Sequence, residues 1–265
     1  MKENKYALIT GASKGLGKAF AFRLASGGIN LLLVALHGEG LPELSAKIKN
    51  QFGVEVDYLE INLRDSSAVH EIADWSSKVD VSILINNAGI GGAKPFELAS
   101  VEYLDAMISI NIRSLTLLTY LLLPNLKKQP KSYILNVASM ASFSPIAFKT
   151  VYPASKSFVY SFSRCLKEEL KNTSVSVSVL HPGPMKTNAE VSKRIESQGF
   201  LAKLGIQSPE EVAEIAIRNL IGGKTMIIPG YMNKFNWLMM KIIPTRIGVP
   251  IISNIVKREI VTQLK

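Results

Sequence analysis

Short runs of β-branched and Leu-rich residues recur along the chain, separated by longer stretches in which apolar positions return every three or four residues. A parallel sheet covered on both faces reads this way, because its strands are apolar throughout while each helix is apolar along one stripe. The runs predict strands at Tyr6–Thr10, Asn30–Leu36, Glu55–Ile61, Ile83–Asn86, Tyr133–Val137, Val175–Leu180 and Thr225–Ile228. Between and after them, helices are predicted at Leu16–Ala25, Pro42–Phe52, Ser67–Ser77, Val101–Leu123, Tyr152–Lys171 and Pro209–Ile221. The order predicts one doubly wound α/β sheet of seven mainly parallel strands with helices on both faces. Right-handed crossovers from a central first strand would open a ligand crevice at the carboxyl ends of the strands.

Two segments leave this alternation. Pro184–Gln207 is a long connection after the sixth strand; it carries Met185, Phe200, Leu201 and Leu204 and reads as a lid. The other is the tail from Gly230 to Lys265. No internal repeat or linker marks a second domain, so residues 1–229 are expected to form one domain, with 230–265 an extension packed on it or at an interface.

Composition narrows the picture. With 47% apolar and 20% charged residues among 265, the chain can bury a full core, which excludes intrinsic disorder. The single cysteine, Cys165, excludes an intramolecular disulfide and a cysteine-rich zinc site. His37, His70 and His181 stand too far apart for a paired-histidine motif, so no metal site is expected. The apolar stretch after Met1–Lys5 is too short for a signal peptide, and no uninterrupted apolar run reaches the ~20 residues of a spanning helix. A cytoplasmic protein, with peripheral membrane contact left open, is the expectation.

The first chemical signal follows the first strand, in Thr10-Gly11-Ala12-Ser13-Lys14-Gly15-Leu16-Gly17. Three glycines before a helix permit a tight turn, close approach of backbone to phosphate, and close helix packing on the strand. The free N–H groups at such a helix start favour a pyrophosphate. The second signal is Tyr152-Pro153-Ala154-Ser155-Lys156. Two helical residues four apart share a face, and an ammonium beside a phenol stabilises tyrosinate and lowers its pKa toward neutrality. Such a phenol can exchange a proton with a carbonyl or alcohol oxygen. Of the eight tyrosines, only Tyr152 has a lysine four residues on. Ser139, at the end of the fifth strand, offers a hydroxyl to the same oxygen.

In order along the chain, Thr-Gly-x3-Gly-x-Gly, Asn86-Asn87-Ala88-Gly89, Asn111, Ser139, Tyr-x3-Lys and Pro182-Gly183-x3-Thr187 resemble the motifs of the short-chain dehydrogenase/reductase family. The resemblance spans Thr10 to Thr187 and implies a Rossmann-like fold. It further implies hydride transfer between a nicotinamide and a carbonyl or alcohol carbon, with Tyr152 as acid or base. Lys156 is then expected to tune Tyr152 and hold the nicotinamide ribose, Ser139 to orient the substrate oxygen, and Asn111 to hold a water at a local helix distortion. From the residues alone, Asn111 reads as a solvated or locally bonded side chain. The family's dinucleotide would lie against Gly11, Ser13, Lys14, Gly15, Leu16 and Gly17, then Asn62, Leu63, Asn87, Ala88 and Gly89. Tyr152, Lys156, Pro182, Gly183 and Thr187 would complete its site.

Relatives preferring NAD often carry Asp at the Ala35 position, and those preferring NADP carry Arg at the Leu36 position or a base inside the glycine turn. Here both strand positions are apolar and Lys14 lies in the turn, with no acid before Glu39. This favours NADP(H) over NAD(H). Asn62, where Asp is common, is a further departure. Met140, Phe143, Ile146 and Phe148, with Met185 and Phe200, are candidate pocket residues; being apolar, they suggest a lipophilic carbonyl or secondary alcohol. Each reads equally well as core packing.

Lys+Arg number 31 against 21 Asp+Glu, a net charge of +10. Lys234, Lys241, Arg246, Lys257, Arg258 and Lys265, against Glu259 alone, lie in the tail among Phe235, Leu238, Met239, Ile242, Ile247, Ile251, Ile252, Ile255 and Val256. A basic amphipathic helix of this kind lies on an anionic membrane, closes a pocket, or packs between subunits. No nucleic-acid motif accompanies the charge, so nucleic acid is not an expected partner. The resemblance implies a homodimer or homotetramer. A nucleotide-sensing or membrane-associated binding protein with little turnover is the alternative, though Ser139, Tyr152 and Lys156 are all present. Epimerase or dehydratase chemistry ranks behind both.

Overall fold

The computed structural model describes residues 5–185 and 206–263. One sheet of seven parallel strands forms the centre: β1 Lys5–Thr10, β2 Asn30–Ala35, β3 Val56–Glu60, β4 Asp80–Asn86, β5 Ser132–Val137, β6 Val175–Leu180 and β7 Met226–Ile227. Their spatial order is β3-β2-β1-β4-β5-β6-β7. The chain winds one way from β1 to β3 and the other way from β4 to β7, so the carboxyl ends of β1 and β4 bound the crevice at the switch point.

Strand alternation builds two cores. Ala7 and Ile9 of β1, with Leu31 and Leu33 of β2, point to one face, where they meet Phe20 and Leu24 of α1 (Gly15–Ala25) and Ile48 of α2 (Leu41–Phe52). Tyr6 and Leu8, with Leu32 and Val34, point to the other, against Val69 and Ile72 of α3 (Ala68–Ser76) and Leu118 and Leu122 further on. Fully burying one such side chain stabilises the fold by ~1.5–3 kcal/mol. Successive residues of these strands thus serve opposite layers, and the apolar runs read without a break.

β4 starts at Asp80, earlier than its apolar run suggests. Ser82 interrupts that run, but it is buried and its hydroxyl donates to the Tyr6 carbonyl at 3.4 Å, which makes a polar residue acceptable in a core strand. The fourth predicted helix is a continuous rod in three parts. It comprises α4 (Val101–Ile108), a π-helical stretch (Ser109–Ser114), and α5 (Leu115–Lys128), which continues through Pro124. Though no uninterrupted apolar run marks it, the rod is long and apolar enough on average to cross a membrane. Half of its most apolar stretch is buried, as in a core helix.

α6 (Val151–Glu169) lies against β6, and α7 (Pro209–Ile221) packs on α1. α7 begins with a reciprocal cap, in which Ser208 accepts from the Glu211 N–H and the Glu211 carboxylate accepts from the Ser208 N–H. After β7 come α8 (Tyr231–Ile242) and α9 (Thr245–Gln263), separated at Pro244. Of the expected lid, Pro184, Met185, Ile206 and Gln207 are described; Phe200, Leu201 and Leu204 lie outside the described residues.

Candidate active site

The crevice is knitted at its floor by side chains at the ends of β1 and β4. The Thr10 hydroxyl accepts from the N–H groups of Asn87 (3.1 Å) and Ala88 (3.0 Å). The Asn87 amide donates back to the carbonyls of Thr10 (2.9 Å) and Gly11 (3.1 Å). These bonds hold the two turns so close that a Cβ on Gly11 would lie 3.0 Å from the Ala88 Cα. Gly17 is tighter still, since a Cβ there would stand 2.0 Å from the Gly11 carbonyl oxygen. Lys14 precedes α1 without a side-chain cap, and the first turn carries no acid. That helix start therefore keeps open donors and a positive dipole end, which suits a pyrophosphate.

Behind the floor runs a buried polar chain. Asn86 donates to Thr119 (2.9 Å) and to Asn136 (2.8 Å), and Asn136 donates to Ser163 (2.9 Å), which locks β4 and β5 to α5 and α6.

Asn111 occupies the π-helical stretch and is buried. Its amide donates to the Ile90 carbonyl (2.9 Å) and the Ser155 hydroxyl (3.0 Å), while its oxygen accepts from the Ile90 N–H (2.9 Å). A single side chain thus ties the loop after β4 to α6. It also satisfies two loop backbone groups. A Cβ on Gly89 would sit 3.1 Å from the Lys156 Nζ and 3.2 Å from the Asn111 Oδ1, so these three residues converge.

Tyr152 and Lys156 lie one turn apart near the start of α6. The tyrosine ring rests against Gly91, where a Cβ would approach its Cδ2 to 2.8 Å. Lys156 is buried and donates from Nζ to the Val137 carbonyl at 2.8 Å, with no salt bridge among the described residues. Burial pushes its pKa down from the ordinary 10.5 to about 8. Ser139 stands two residues beyond that carbonyl, in extended backbone, and its hydroxyl accepts from the Ala141 N–H at 3.1 Å.

The Ser139 carbonyl is pinned in turn. It accepts from the Ser142 hydroxyl (2.7 Å) and faces His181 Nδ1 at 3.2 Å, while Ser142 and His181 lie 2.9 Å apart. His181 is fully buried, which pushes its pKa down to about 4 and keeps it neutral. A structural role is what its surroundings support. Phe143 turns into an aromatic cluster with His181, Tyr160 and Trp237, and Met185 packs on the core; both are packing residues rather than open pocket walls.

Elsewhere the sequence reading meets the structure unevenly. The Asn62 oxygen accepts from the Arg64 N–H at 3.1 Å, a local turn contact, and Leu63 is buried. Gly183 packs against Asn233 of α8, and the Pro182 carbonyl accepts from Met140. Thr187 lies outside the described residues. Lys14 does meet an acid: Glu39 folds back so that its carboxylate oxygens lie 2.7 and 2.9 Å from Nζ. Ile90 and Gly91 were not singled out by sequence patterning, since neither belongs to a spaced motif; Ser155 entered only as an intervening residue of Tyr-x3-Lys and Glu39 only as the first acid after Lys14. A cavity of about 550 Å³ between α7 and the β7 end contains none of the groups around Tyr152.

A family model described as short chain dehydrogenase matches residues 5–198. The very-long-chain 3-oxoacyl-CoA reductase of Homo sapiens is 30% identical over 254 residues, covering 90% of this chain and 78% of that protein. Among solved structures, a 7beta-hydroxysteroid dehydrogenase superposes with a TM-score of 0.82 at 25% identity, covering 89% of this chain and 92% of the other. A short-chain dehydrogenase from Sphingobium yanoikuyae in complex with NADPH gives 0.78 at 27% identity, with the same two coverages.

Proposed function

The chain belongs to the short-chain dehydrogenase family, an NAD(P)-dependent dehydrogenase/reductase by kind, and from that premise we propose that it interconverts a lipophilic ketone and its secondary alcohol with NADP(H). The observation that carries this reading is the buried Lys156, an ammonium without an acid partner among the described residues, one turn from Tyr152.

Burial makes that charge expensive, and a phenolate formed beside it would offset it. Tyr152 then gives its proton to the carbonyl oxygen in reduction and takes one back in oxidation. Ser139 holds the oxygen, and the bonds from Ser142 and His181 to its carbonyl fix where its hydroxyl stands. Asn111 ties the loop after β4 to α6, which holds Gly89 close against Lys156 and would support a proton relay there. The nicotinamide, when bound, supplies or accepts the hydride. Gly11, Ser13, Lys14, Gly15, Leu16 and Gly17 would take its pyrophosphate, with Asn87, Ala88, Gly89, Pro182, Gly183 and Thr187 around the remainder.

Support for NADP(H) comes from the apolar Ala35 and Leu36, from the NADPH-bound relative, and from Lys14, which would have to exchange Glu39 for the 2′-phosphate. Support for a lipophilic substrate comes from the apolar Met140, Ile146 and Phe148 after Ser139, and from relatives named for 3-oxoacyl-CoA and hydroxysteroid chemistry. A homodimer or homotetramer is part of the same proposal, because Leu117 and Tyr120 on α5 and Phe158 on α6 are exposed. The test is to follow NADPH absorbance with the purified protein against 3-oxoacyl thioesters, steroid ketones and aryl ketones. Turnover on at least one of these, and loss of it in Tyr152→Phe with NADPH binding retained, is expected. Undiminished turnover in that variant would remove Tyr152 from the chemistry.

A further inference from the structure

The two helices after β7 show solvent a face that a soluble surface rarely carries. On α8, Tyr231, Phe235, Leu238 and Ile242 follow one another at spacings of four, three and four; on α9, Ile247, Ile251 and Ile255 follow at four. At 3.6 residues per turn each set forms one stripe. Every member is exposed, from 47% for Leu238 to 90% for Tyr231.

The opposite faces are anchored, so the stripes are held outward. Asn233 is buried and donates to the Pro229 carbonyl at 2.9 Å. Trp237 packs against Phe143, and the Ser253 hydroxyl accepts from the Ala147 N–H at 3.0 Å. Lys234, Lys241, Arg246 and Lys257 are exposed along the same two helices, and no Asp or Glu occurs between Tyr231 and Lys257.

We propose that α8 and α9 dock this chain on the surface of a bilayer carrying anionic headgroups. The stripes would enter the headgroup boundary while the four cations meet lipid phosphates. A second copy is a poorer occupant, because two-fold pairing of a surface with itself would set these cations against one another, with Glu259 alone in the two helices to offset them. Both helices also grip the segment after Ser139, through Trp237 on Phe143 and Ser253 on Ala147. Docking therefore places the substrate side of the site at the lipid boundary. That consequence rests on the lipophilic-substrate reading above; bilayer binding itself does not.

The test uses the full chain and vesicles of phosphatidylcholine, with and without about 30% phosphatidylglycerol, read by co-sedimentation at about 50 and about 500 mM NaCl. Partitioning about tenfold stronger on anionic vesicles at low salt is expected, and most of that preference should vanish at high salt. Phe235→Ser combined with Ile251→Ser changes only exposed positions, so circular dichroism should stay unchanged while vesicle binding falls about tenfold. Lys234→Glu with Lys241→Glu should remove the preference for anionic lipid. The proposal is overturned if the natural sequence ignores anionic vesicles or if both double variants bind them equally well. It is also overturned if Phe235→Ser/Ile251→Ser turns a dimer into monomers without altering vesicle binding. Because co-sedimentation needs no turnover, an inactive protein that binds vesicles would sink the reductase reading alone.

Discussion

Replacing Lys156 by Met separates what this residue does for stability from what it does for chemistry. The side chain is buried, and its pKa stands at about 8 instead of 10.5. At about 1.4 kcal/mol per pH unit, that gap corresponds to about 3 kcal/mol. The unfolded chain keeps the lysine proton up to its ordinary pKa, whereas the folded chain releases it above about 8. Between those values the unfolded state holds more protons, so stability rises with pH across the window. Below it the full penalty of burying the ammonium is present. Met fills nearly the same volume without charge and removes the penalty, but it leaves the Val137 carbonyl without its donor, a loss of about 1 kcal/mol. The variant should therefore be more stable than the natural sequence by about 2 kcal/mol near pH 7 and no more stable near pH 10. In a domain of this size that is a rise in Tm of about 4–8 °C at the lower pH. Urea titrations at both pH values measure it, and NADPH-dependent turnover on the same samples should fall at least ~100-fold. A variant less stable near pH 7, or one whose difference from the natural sequence does not change with pH, would refute the picture of an uncompensated buried ammonium.

Three further substitutions probe separate parts of the site. Glu39→Gln frees Lys14 for a 2′-phosphate, so the ratio of kcat/KM for NADPH over NADH should rise about two- to fivefold; an unchanged ratio would place Lys14 away from that phosphate. Gly91→Ala puts a methyl 2.8 Å from the Tyr152 ring and should lower kcat by about 10- to 100-fold, with NADPH affinity by fluorescence titration changed far less. Asn111→Ala leaves the Ile90 N–H and carbonyl without their partner. Denaturant unfolding should register a loss of about 2–3 kcal/mol, and a loss below about 0.5 kcal/mol would mean that water replaces the amide freely.

The sheet was legible because β1 and β2 at its centre are apolar on both faces and the helices covering them on one, a pattern that survives without knowledge of contacts. Ser82 shows where the pattern fails: its hydroxyl finds the Tyr6 carbonyl across strands, and no local window contains that bond. The π-helical stretch depends likewise on Ile90, twenty-one positions away in sequence, which takes both ends of the Asn111 amide. The Lys14–Glu39 pair follows from a turn after β2 in which Gly38 and Gly40 hold φ of 75° and 77°, swinging Glu39 back over the glycine loop. Periodicity marked the tail as amphipathic, but the stripe left to solvent was decided by Asn233, Trp237 and Ser253, whose partners lie in distant segments.

The most direct measurement of the central claim follows isotope from NADPH carrying deuterium at both C4 positions into product during reduction of a lipophilic ketone. Deuterium on the new carbinol carbon, at a rate that collapses in Tyr152→Phe while both proteins bind NADPH equally, is the predicted result. A protein that binds NADPH yet passes no deuterium to any ketone in a panel of 3-oxoacyl thioesters, steroids and aryl ketones would contradict it, as would transfer that proceeds undisturbed without the phenol.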